Sequence, residues 1–63
     1  MNRFTVAFTR NYTVVADAEN PNKYLLISGS KDAHARRMAH EYADKLNQRP
    51  DTRSTYYWTT GDA

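Results

Sequence analysis

A length of 63 residues, the absence of cysteine and a formal charge of +2 set the bounds on this chain. One small domain fits, burying only about 60% of its unfolded surface, and disulfides and thiolate zinc sites are excluded. Nine Lys and Arg against seven Asp and Glu favour solubility and fall short of the basicity of an electrostatically driven nucleic-acid binder.

Phe4-Thr5-Val6-Ala7-Phe8-Thr9 alternates, with Phe4, Val6 and Phe8 on one face, and predicts a first strand. Arg10-Asn11 offers a tight turn, because Asn tolerates left-handed backbone geometry. A second strand then starts at Tyr12-Thr13-Val14-Val15-Ala16, and one long bent strand from Phe4 to Ala16 is the competing reading. Glu19-Asn20-Pro21-Asn22 is the clearest turn. Lys23-Tyr24-Leu25-Leu26-Ile27-Ser28 lacks alternation, which suggests a central strand covered on both sides. Gly29 breaks it, Ser30 is the expected N-cap, and Asp32 falls in the first helical turn.

The helix is expected from about Lys31 to Asn47, stopping before Pro50. Its apolar stripe is Ala35, Ala39, Tyr42, Ala43 and Leu46, with Met38 at the edge. Thr52 through Thr60 reads as the last strand, rich in threonine and aromatics, and Gly61-Asp62-Ala63 as an end that frays. These elements give a single α+β domain over residues 1–63. Its four-stranded antiparallel or mixed sheet carries one helix on one face, in the order β-β-β-α-β.

Catalytic patterns are almost absent. His34 and His40 are separated by about 240° on the helix, so they do not share a metal there. No nucleophile elbow or phosphate-wrapping glycine loop occurs, although Ile27-Ser28-Gly29-Ser30-Lys31 has the strand–glycine–helix order that can meet one anion. The chain is read as a non-enzyme with no cofactor and no metal. No apolar run approaches the roughly 18 residues of a membrane span. Met1-Asn2-Arg3-Phe4 lacks signal-peptide features, so a cytoplasmic protein is expected.

The tail Tyr56-Tyr57-Trp58 carries the main functional signal. Neighbouring strand residues face opposite ways, so Tyr56 and Trp58 are expected against the helix and Tyr57 on the other side. Tyr57, joined by Tyr24 and Tyr12 and flanked by Arg53, is the expected protein-binding surface, because tyrosines are frequent interface anchors. The sheet face or an exposed strand edge would then engage a protein, as an adaptor or inhibitor. The alternative is DNA or RNA binding through Arg36, Arg37, Arg49 and Arg53, with Tyr57 stacking on bases. A homodimer is a further expectation, since a second copy would extend a core this small. The length is also common among small accessory proteins of phages and mobile elements, although no motif marks that origin.

Overall fold

Strand-forming residues at the N-terminus meet in register. The computed structural model describes residues 2–61. It places β1 at Phe4–Phe8, β2 at Thr13–Asp17, β3 at Lys23–Ser28, α1 at Ala33–Gln48, a 3-10 segment at Pro50–Thr55 and β4 at Thr59–Thr60. All pairings are antiparallel, in the spatial order β1-β2-β3-β4. The first two strands form a hairpin, not one bent strand, with the Thr9 amide donating to the Tyr12 carbonyl across Arg10-Asn11. Asn11 does not use left-handed geometry, since no residue has positive φ among those described. The Asn20 turn forms as expected, with its amide on the Asp17 carbonyl and its own carbonyl accepting from Lys23.

The helix covers one sheet face. Phe4, Val15 and Leu25 from three strands meet Ala39, Ala43 and Leu46 of α1, with Val6, Ile27, Tyr42, Tyr56 and Trp58 packed around them. The small alanines let the helix lie close to the sheet, as the stripe predicts. Its start differs from expectation: Asp32, not Ser30, is the N-cap, accepting the Ala35 amide at 2.8 Å. Ser30 is held in the preceding loop, its carbonyl accepting from the Thr13 hydroxyl and its amide donating to the Ser28 hydroxyl.

Two larger corrections concern the sheet. Residues Thr52–Thr60 do not form one strand: Pro50 starts a 3-10 segment, and only Thr59 and Thr60 pair with β3. Proline suits a helix start because its missing N–H is unneeded there. The hydroxyls of Thr52, Ser54 and Thr55 then donate to carbonyls three residues back, satisfying groups that a strand would have left for the sheet. Nor is β3 covered on both sides. Its helix-facing Leu25 is buried, whereas Leu26 on the opposite face is 46% exposed. Of the end expected to fray, Gly61 is tied down by a hydrogen bond from its N–H to the Asn22 carbonyl, and Asp62 and Ala63 lie outside the described residues.

The outer edge of β1 is partly closed by a side chain. Asn47 accepts the Phe4 amide and donates to the Phe4 carbonyl, each at 2.8 Å, and so takes the place of a neighbouring strand at that residue. Asn47→Ala is expected to cost about 1–2 kcal/mol, because two backbone groups of a buried residue lose their partner. It should also promote self-association through the freed edge. Thermal melts with light scattering check both effects. A variant as stable and as monomeric as the parent would show that Asn47 does not protect the edge.

Candidate functional site

Backbone direction identifies the free groups of the other edge. Arg3 accepts from Ala18 and Thr9 donates to Tyr12, so odd residues of β1 face β2 and even residues of β2 face β1. Val15 therefore turns its backbone toward Leu25, its register partner, and Leu26 turns its own away from β2. The Gly61–Asn22 bond on the far side of β3 agrees with this alternation. β4 pairs only with Lys23 and Tyr24, so Leu25–Ser28 has no strand beyond it among the described residues. A register shift between Thr13 and Val14 places the extra residue, Ile27, on β3. Bulges of this kind bend a strand and end regular pairing.

Beside that free segment lies an apolar cavity of about 230 Å³, lined by Leu25, Leu26, Ile27, Met38, Tyr42 and Tyr56. Helix periodicity brings Met38 and Tyr42 to its rim. Tyr56 lines it as well, held edge-on to Tyr42 with ring centroids 5.6 Å apart. The 3-10 segment explains the opening: residues Pro50–Thr55 coil beside the helix, and strand pairing with β3 begins only at Thr59. Sequence reasoning missed this groove because a strand over Thr52–Thr60 would have filled the edge. Pro50 followed by Thr52, Ser54 and Thr55 was the available signal for a helical start.

Two of the residues expected to form the interface, Tyr12 and Tyr24, lie at opposite ends of the sheet. Tyr57 is 86% exposed and directed away from Tyr56 and Trp58, as alternation predicts. Tyr24 sits opposite Ala16 with its ring against Gly61, where an added Cβ would approach to 3.3 Å. Tyr12 lies beside Gly29, just before β2 and four residues from Ala16, or about 13 Å at strand rise. No ring stacking links the three among the described residues. Tyr57→Ala should leave stability within about 0.5 kcal/mol of the parent, as for an exposed residue without partners. A larger loss in a urea titration would show that Tyr57 helps hold the fold.

The arginines also divide. Arg36 and Arg37 are exposed near the start of α1, while Arg49 stands just past its end, about 18 Å further along the axis. Arg49 has a loose contact with Asp51 at 3.7 Å. Arg53 is turned inward: its Nε donates to Asp17 at 2.7 Å and its guanidinium lies 4.5 Å from the Trp58 ring centre. Asp17 is fully buried and also accepts from Arg3 through two nitrogens, from Asn20 and from the Glu19 amide. Burial alone pushes its carboxyl up, but the bonds from Arg3, Asn20, Glu19 and Arg53 outweigh that and hold it well below the usual carboxylate range. Arg53 is thus part of the frame that fixes the 3-10 segment under the sheet.

The helix N-terminus is similarly occupied. Asp32 fills it, and the hydrogen bond donated by the Ala35 N–H lowers the acid's pKa, so the position expected to meet an anion already holds a carboxylate. His34 and His40 are exposed, and no group of three metal-ligating side chains occurs among the described residues. Comparison with known families, curated proteins and solved structures finds no match to this chain. Residue roles therefore rest on geometry and chemistry.

Proposed function

We propose that this chain is a protein-binding module that takes an extended segment of its partner along the free part of β3, Leu25–Ser28. The observation that carries this reading is the shortness of β4, which leaves the Leu26 N–H and C=O facing outward beside an apolar groove. Strand addition uses such groups: the main chain supplies affinity and alternate side chains enter pockets beside the edge. Met38, Tyr42 and Tyr56 offer an adaptable thioether and two rigid rings for those side chains. The β1 edge is the poorer candidate because Asn47 already occupies Phe4.

Selection from a displayed random-peptide library tests the reading. Enriched peptides should alternate apolar and polar residues. Leu26→Pro should weaken a synthesised peptide at least tenfold while keeping the fold, since the N–H it removes does not pair with β2. Leu26→Val controls for side-chain loss, and methylation of alternate peptide amides should weaken binding of the parent protein in the same way. Absence of enriched peptides, or equal binding by the N-methylated peptides, would overturn strand addition. Salt-sensitive binding of a single-stranded oligonucleotide, with no peptide selected, would favour the nucleic-acid alternative.

A further inference from the structure

Resting on that strand-addition reading, we infer that the bound segment ends in an acidic group held by Lys45 and Arg49. A second cavity, of about 300 Å³, lies beyond Tyr56 and is lined by Lys45, Gln48, Arg49, Thr52 and Thr55. Tyr56 is the wall common to this cavity and the apolar groove. Lys45 reaches toward both, with its Nζ 5.8 Å from the centre of the Tyr42 ring that lines the groove. A ligand lying in the groove therefore finds cationic side chains as soon as it passes Tyr56.

The donors available there suit a carboxylate. No acidic side chain lines the cavity among the described residues. Lys45 forms no ion pair among them, and Arg49 has only its contact with exposed Asp51. The Thr52 and Thr55 hydroxyls spend their protons on the Arg49 and Thr52 carbonyls, at 2.7 and 2.6 Å. Binding an anion thus falls to Lys45, Arg49 and the Gln48 amide. Lys45 in the last turn already offsets the negative end of the helix dipole; Arg49, beyond the helix, supplies the additional charge.

Orientation places the acid at one end. β4 runs antiparallel on this edge, and a segment added in the same sense would reach Leu25 and Tyr56 with its C-terminal end. The group is a terminal carboxylate or an Asp or Glu side chain close to it, two sources of the same chemistry.

Peptides selected as above, synthesised and measured against the parent and the Lys45→Glu/Arg49→Glu double variant, test the inference. The parent should select an acid at the C-terminal end, and the variant should select Lys or Arg there with the apolar positions retained. Replacing the acidic side chain by its amide, or the terminal carboxylate by a carboxamide, should weaken binding tenfold in one of the two arms and so identify the source. Circular dichroism verifies that the double variant folds. Peptides that keep the apolar alternation without a terminal acid, and bind both proteins equally, would overturn this inference and leave strand addition standing. Failure to select any peptide would remove both.

Discussion

Asp17→Asn is expected to destabilise the domain by about 3 kcal/mol, the scale on which a buried ion pair fails when one partner is removed. The substitution preserves volume, so the loss isolates charge and acceptor capacity. Asp17 accepts from Arg3, Arg53, Asn20 and the Glu19 amide. An amide presents NH2 to one set of those donors and neutralises no arginine. Arg3 and Arg53 keep about a quarter of their side chains in solvent, which places the cost at the lower end of the range. A domain of this length has roughly 3–9 kcal/mol in total, so the melting temperature should fall by more than about 10 °C. A fall of under about 4 °C would show that the arginines find equivalent partners elsewhere. The sign of the pH dependence follows from the depressed native pKa. Between the native and unfolded pKa values the unfolded chain binds more protons, so stability rises with pH. The Asp17 contribution is present above the ordinary carboxylate range and declines as pH drops below about 4. The asparagine variant should lose that component of acid sensitivity.

Trp58→Ala should cost about 3 kcal/mol, near the lower end for a large aromatic because the indole is only partly buried. Its ring packs against Phe4 with centroids 6.0 Å apart, its Nε1 donates to the Arg53 carbonyl at 2.8 Å, and the Arg53 guanidinium lies over its face. Removing it withdraws support from both the core and the residue that holds Asp17. Trp58→Phe should recover much of the packing and lose the hydrogen bond. Losses in Asp17→Asn and Trp58→Ala should not add, because Arg53 contacts both side chains. A fully additive double variant would contradict a shared network.

The regular elements were legible because each states its period. Phe4, Val6 and Phe8 alternate, and Ala35, Ala39, Ala43 and Leu46 fall on one helical stripe, so strand and helix follow from side-chain spacing alone. Tyr56 and Trp58 against the core and Tyr57 in solvent were also legible, since extended backbone alternates even outside a paired strand. The tail itself was not. Threonine propensity favours a strand, but Pro50 and hydroxyl bonds to nearby carbonyls favoured a 3-10 segment. That local choice decides the length of β4 and thus whether the β3 edge is open. The clustering of tyrosines depended on strand register as well as facing, which is why Tyr12 and Tyr24 end up at opposite ends of the sheet. Arg53 looked like a surface cation because its partner, Asp17, lies 36 residues away in sequence.

The most direct test of binding at the β3 edge is a nitrogen-15 NMR titration with a library-selected peptide. Amide shifts should concentrate at Leu25–Ser28, Met38, Tyr42 and Tyr56, and the Leu26 amide should gain protection from hydrogen exchange when the peptide is bound. Shifts centred instead on Val6 and Phe8, on the open sheet face at Thr5 and Ala7, or around Arg36 and Arg37, with the Leu26 amide unchanged, would contradict the account.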